Sequence, residues 1–132
     1  MQVKDVRLLS CFFKQNRKYE GQGEVEMETD IKFGADFDEN SKIVTASIIV
    51  TILENDVYPY CFEVEIGGKF ILEDNEIPHL ERICKINIPA ILFPYLRENV
   101  ADVTRRSGNP AMHLSTINFV EIAKQGKVAC ND

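Results

Sequence analysis

Two prolines, Pro89 and Pro94, stand inside a stretch whose apolar residues otherwise recur at helical spacing, and few folds accommodate that combination. Leu92, Tyr95, Leu96, Asn99, Val100 and Val103 fall on one side, with Arg97, Glu98, Asp102 and Arg105 on the other, so the helix has an apolar stripe to bury. Each proline removes an amide donor and crowds the turn before it, which predicts a helix interrupted near both rather than a smooth rod. Gly108 and Pro110 supply a stop. A short terminal helix is expected over residues 117–124, with a frayed tail after Gly126.

Before Pro78 the period is that of strands. Residues 25–33 alternate, with Val25, Met27, Thr29, Ile31 and Phe33 on one side and Glu24, Glu26, Glu28, Asp30 and Lys32 on the other. Residues 43–53 are rich in Val, Ile and Thr, and residues 58–72 alternate apolar with acidic, with Asn55-Asp56 supplying a turn between them. Residues 3–14 form a weaker strand pattern, and residues 17–23, with two glycines and several charges, read as a crossover or loop. Four strands without intervening helices predict an antiparallel sheet with one wet face. Gly67-Gly68 inside the last strand marks a bulge or a close backbone approach.

One domain of 132 residues with 45% hydrophobic content can bury a single core. Its 21 acidic and 15 basic side chains give a net charge of -6, which excludes long-range attraction to nucleic acid. The four cysteines, at 11, 61, 84 and 130, are scattered and lack metal-ligand spacing, so they read as reduced cytoplasmic thiols. The N-terminus has no apolar run of signal-peptide length, and no stretch approaches the roughly 20 apolar residues of a membrane span. A soluble protein that is not itself exported, with no membrane insertion, is expected.

Catalytic chemistry finds little support. His79 and His113 have no companion ligands at productive spacing, so neither a metal nor a cofactor is expected. Ser10, Ser47 and Ser115 lack a nucleophile elbow, and Glu24, Glu26 and Glu28 form one solvated strand face rather than an acid/base pair. Cys61 reads as a buried strand cysteine. The stripe Leu92, Tyr95, Leu96, Val100 and Val103 offers more than one small sheet needs, so part of it is expected between subunits. Ile117, Phe119 and Ile122 form a further apolar patch, which either docks on the sheet or faces a ligand.

The string Ile91-Leu92-Phe93-Pro94-Tyr95-Leu96-Arg97-Glu98, the turn containing Arg106, Gly108 and Pro110, and Leu114-Ser115-Thr116-Ile117-Asn118-Phe119 together resemble the helical half of the SecB family of export chaperones. Cys61-Phe62-Glu63-Val64-Glu65-Ile66-Gly67-Gly68-Lys69-Phe70 is similar to that family's CEVxxGGxF strand. The turn is one residue longer here between the arginine and the glycine. The resemblance implies a four-stranded sheet, a long helix and a short terminal helix, assembled as a homotetramer, a dimer of dimers. It implies an apolar groove for unfolded preproteins, with Tyr60, Phe119 and Ile122 as client contacts, and it puts Glu63, with Glu65 beside it, on the sheet face that meets the translocation motor SecA. The family's first-strand acids have no match in residues 9–14, and its acidic C-terminal tail is not matched by residues 124–132.

The expected function is therefore an ATP-independent holdase for export clients or for one dedicated partner, with no enzymatic step. A SecB-like chaperone of a toxin-antitoxin system is the alternative within the family. A small-ligand carrier or enzyme on the same layers is the alternative outside it.

Overall fold

The computed structural model describes residues 1–21, 25–124 and 129–131, the last three as backbone only. Four antiparallel strands, β1 (Gln2–Gln15), β2 (Asp30–Asp38), β3 (Ile43–Ile52) and β4 (Tyr60–Ile71), are followed by the helical layer. That layer begins with a 3-10 turn, Asp74–His79, and one turn of helix, α1 (Leu80–Arg82). A π-helical turn, Ile83–Asn87, leads into the long α2 (Ile88–Arg106), and the short α3 (Phe119–Lys124) comes last. A fifth strand, β5 (Ala129–Asn131), pairs in parallel with Gly34, Ala35 and Asp36 of β2, giving the order β1-β4-β3-β2-β5. Part of the tail expected to fray is thus paired; residues 125–128 lie outside the described residues, as does the Gln22-Gly23 end of the crossover.

The strand starting in the alternating stretch begins later than its pattern. Asp30 pairs with Thr51, so residues 25–28 would have to pair beyond Ile52, where β3 has already ended. Glu26 and Glu28 are exposed there in irregular chain, and Glu24 lies outside the described residues. At its other end the strand continues through Gly34 to Asp38, because β3 offers partners as far as Ile43. The turn into β4 is closed by Asn55, whose side chain accepts from the Val57 amide at 2.9 Å and whose carbonyl accepts from Tyr58 at 3.1 Å.

Successive strand residues point to opposite faces, so Val44, Ala46, Ile48, Val50 and Ile52 share a face with Phe62, Val64, Ile66 and Phe70, and all are buried under the helical layer. α2 covers that face with Ile88, Leu92, Leu96, Val100 and Thr104, one residue per turn along a single stripe. The twin glycines carry no bulge; Lys4 and Leu9 of β1 bulge instead. Both glycines are places of close approach. A side chain on Gly67 would start 2.6 Å from Cδ1 of Leu9, and one on Gly68 would start 3.0 Å from Cδ2 of Leu92 and 2.9 Å from the ring of Phe70. Gly68→Ala is therefore expected to lose about 1–3 kcal/mol by overpacking, read as a lowered denaturant midpoint with an unchanged slope. An unshifted midpoint would show that Leu92 has room there.

The helix bends its rules at one proline and not at the other. Before Pro89 the Ile88 amide reaches back five residues to the carbonyl of Ile83, and this wider π turn gives the proline ring space while costing no donor that Pro89 possesses. No break occurs at Pro94, contrary to expectation: α2 runs through it. Pro94 and Ala90, four residues earlier, are both exposed, so the Ala90 carbonyl that loses its amide partner can be hydrated. After Arg106 the chain leaves through Gly108 at φ +88°, a left-handed conformation that suits glycine. The buried Thr104 hydroxyl donates to the Val100 carbonyl and accepts from the Met112 amide, both at 2.8 Å, which folds the returning segment back along α2.

Candidate functional site

That returning segment delivers α3 to the surface of the helical layer. Asn118 caps it, its side-chain oxygen accepting from the amides of Val120 at 3.1 Å and Glu121 at 3.3 Å. The helix is only six residues long, so packing and not propensity holds it. The packing comes mainly from Phe119, 7% exposed, whose ring meets Phe93 of α2 edge-on with centroids 6.0 Å apart.

Two open clefts flank α3. The first, about 490 Å³, lies against α2 and is lined by Ala90, Phe93, Pro94, Ala101, Ile117 and Phe119, with Arg97, Glu98 and His113 alongside. The second, also about 490 Å³, lies against the α1 and π turns, where Pro78, Ile86, Val120 and Ala123 supply its apolar lining. Val120 is the outward apolar residue of α3, 39% exposed. Nothing in the sequence period singled it out, because six residues are too few to define a face.

The residues expected to meet a client are distributed differently from that expectation. Phe119 contributes to the first cleft while packing inside the chain, and Ile122 is half-buried against the core and lines neither cleft. Tyr60 is 5% exposed, sandwiched between Phe13 at 5.2 Å and Phe62 at 6.0 Å. Its burial pushes the phenol upward from its ordinary pKa. Tyr60 therefore anchors β1 to β4 in this chain and is not open to a ligand.

The stripe assigned to a subunit interface needs a similar correction. Leu92, Leu96 and Val100 are fully buried against the chain's own sheet, so no partner can cover them further. Val103 is half-buried and Tyr95 is 45% exposed, leaving these two of the five accessible. Apolar residues of β1, at the sheet edge, are about half exposed on both faces, Val3 and Leu8 on the helix side and Leu9 and Phe12 on the opposite side.

Glu63 and Glu65 project from the sheet face opposite the helices, Glu63 exposed and Glu65 half-buried. Glu63 stands across from Phe12 and Thr51, and Glu65 across from Ser10 and Ile49. Register puts Arg7, Lys14 and Lys69 on the same face, so its charge is mixed. Cys61 is buried next to the Lys14–Glu54 pair, which is 3.0 Å long, and burial raises its thiol pKa. Among the described residues no group of His, Cys, Asp and Glu is placed to hold a metal ion, and no helix is long and apolar enough to cross a membrane.

A sheet carrying a long helix on one face, with open clefts along a short terminal helix, defines an α+β domain built around surface grooves. The chain belongs to the SecB family: residues 2–129 match the family described as preprotein translocase subunit SecB. Its relatives include the protein-export protein SecB of Burkholderia mallei, 34% identical over 101 residues, and that of Burkholderia vietnamiensis, 36% identical over the same length. Each match takes in 76% of this chain and 63% of the relative, so the chain spans a little under two thirds of the curated relatives it matches. Among solved structures, the SecB-like chaperone Rv1957 of Mycobacterium tuberculosis, in complex with a ChAD peptide from the Rv1956 HigA1 antitoxin, superposes with a TM-score of 0.67. That likeness, at 20% identity over 88% of this chain and 90% of the other, is one of fold.

Proposed function

We propose that this chain is an ATP-independent holdase of the cytoplasm, which keeps non-native polypeptides unfolded by burying their apolar side chains beside α3. The observation that carries the reading is the pair of open apolar clefts on either side of that helix, with Val120 standing exposed at one of them. A holdase has to accept many sequences, so it uses apolar area and not a fixed array of polar groups, and it gains selectivity because folded proteins hide such side chains. Binding shifts the client's folding equilibrium by mass action, without a covalent step or a cofactor.

The same reading brings self-assembly, a dimer of dimers in the SecB manner. Its contacts would draw on what one chain leaves uncovered, Tyr95 and Val103 on α2 and the apolar residues of β1. The curated relatives are export proteins by name, which favours preprotein clients and delivery to SecA through Glu63 and Glu65. A dedicated partner, such as a toxin-antitoxin pair, is the second reading. It is favoured by the mixed charge around Glu63, a poor match for a strongly basic docking surface.

Val120→Asp tests the holdase claim with little risk to the fold, since the side chain is exposed. The parent is expected to suppress aggregation of a chemically unfolded export-type protein, and the variant to bind it about 5- to 30-fold more weakly at an unchanged melting temperature. A parent that captures no unfolded chain would sink the holdase reading. Titration with purified SecA separates the two destinations: measurable binding that Glu63→Lys abolishes supports export, and no binding leaves the dedicated partner.

A further inference from the structure

We propose that the cleft between α1 and α3 selects client segments in which apolar residues are flanked by acidic ones. This deepens the holdase reading above and rests on it. Besides its apolar lining, the cleft carries His79, Arg82, Lys85 and Lys124 against one lining carboxylate among the described residues, Glu81. Lys85 donates to Glu81 at 2.8 Å, and that hydrogen bond holds the Glu81 carboxyl below its ordinary pKa, so these two neutralise each other. Arg82 is exposed and has no ion pair among the described residues. Lys124 has its carboxylate neighbour, Glu121, at 3.8 Å, too far for a hydrogen bond. Two exposed cations thus border the apolar lining around Val120 with no strong carboxylate partner among the described residues.

The location runs against the charge of the whole chain. Residues 1–73 hold 14 acidic and 8 basic side chains, which accounts for the entire net charge of -6, and the rest of the sequence is balanced. At physiological salt, charges farther off than about 8 Å are largely screened, so a segment in the cleft responds to Arg82 and Lys124 more than to the acidic sheet half. The cleft on the α2 side has no such excess, with Arg97 and Glu98 side by side, and serves as the charge-indifferent site.

The test uses the full chain and two fluorescent peptides with one shared apolar core, flanked by aspartates in one and by lysines in the other. Anisotropy titrations in roughly 50 mM salt are expected to show the aspartate peptide binding about 5- to 20-fold more tightly, with the gap closing near 500 mM as screening shortens the range. Arg82→Glu with Lys124→Glu is expected to reverse the order at an unchanged melting temperature, because both side chains are exposed. Equal binding at low salt, or a lysine preference in the parent, overturns the proposal and leaves the holdase reading standing. If neither peptide binds while an uncharged apolar peptide does, the proposal alone fails. If no peptide binds, both fail.

Discussion

Leu96→Asp is expected to unfold the subunit itself, before any question of assembly arises. Leu96 is fully buried in the middle of the α2 stripe, between Leu92 and Val100 and over the paired strands β3 and β4. Removing its side chain alone costs about 2–5 kcal/mol for a leucine in a closed core. The carboxylate adds a desolvation cost with no cation to offset it, since the residues sharing its stripe are Ile88, Leu92, Val100 and Thr104. The sum reaches the roughly 5–15 kcal/mol that holds a domain of this kind together. Far-UV circular dichroism and soluble yield should both collapse. Tyr95→Asp, one residue away and 45% exposed, is the contrasting change. It should leave the melting temperature of the subunit nearly unaltered and shift light scattering toward a smaller species. A folded, monomeric Leu96→Asp variant would restore the interface role of the stripe. A tetramer undisturbed by Tyr95→Asp would move the interface elsewhere, with the β1 edge next in line.

The contrast between those two neighbours shows what the sequence can and cannot express. Helical spacing puts Leu92, Leu96 and Val100 on one face with no further information, and the structure buries that face. The same spacing says nothing of whether a sheet from the same chain or another copy does the burying, and here the chain's own β3 and β4 are sufficient. Pairing likewise decides strand ends. The alternation from residue 25 onward has a strand's period, but an antiparallel strand lasts only as long as its neighbour, so β2 starts at Asp30 where Thr51 becomes available. Pro89 and Pro94 are chemically identical signals with different outcomes, because the turn before Pro89 widens, whereas Ala90 behind Pro94 is exposed and its carbonyl can be hydrated. The glycine pair was legible as a bulge or a close approach, and only the second holds, explained by the contacts with Leu9 and Leu92. For the candidate site, the terminal helix was legible and the side of it that stays open was not. Phe119 and Ile122 are its larger apolar residues, and larger residues go inward when a short helix must be held by packing. That leaves the smaller Val120 facing out.

Phe119→Ala is expected to undock α3. Phe119 is the buried residue of that helix, and its edge-on contact with Phe93 joins α3 to α2. A phenylalanine truncated in a packed site loses about 3–5 kcal/mol. A six-residue helix has almost no stability of its own to set against that loss, even with the Asn118 cap worth about 1 kcal/mol. The response should therefore be local. Hydrogen exchange should show amides of α3 losing protection while those of β3 and β4, deep in the sheet, keep theirs. Both clefts share α3 as a wall, so client binding should fall with it, more steeply than for Val120→Asp, which changes one lining side chain and leaves the helix in place. Measuring exchange and client affinity on the two variants side by side separates support from contact. If Phe119→Ala keeps α3 protected and the melting temperature unchanged while client affinity drops, Phe119 touches the client directly, and the assignment of its ring to packing against Phe93 is wrong.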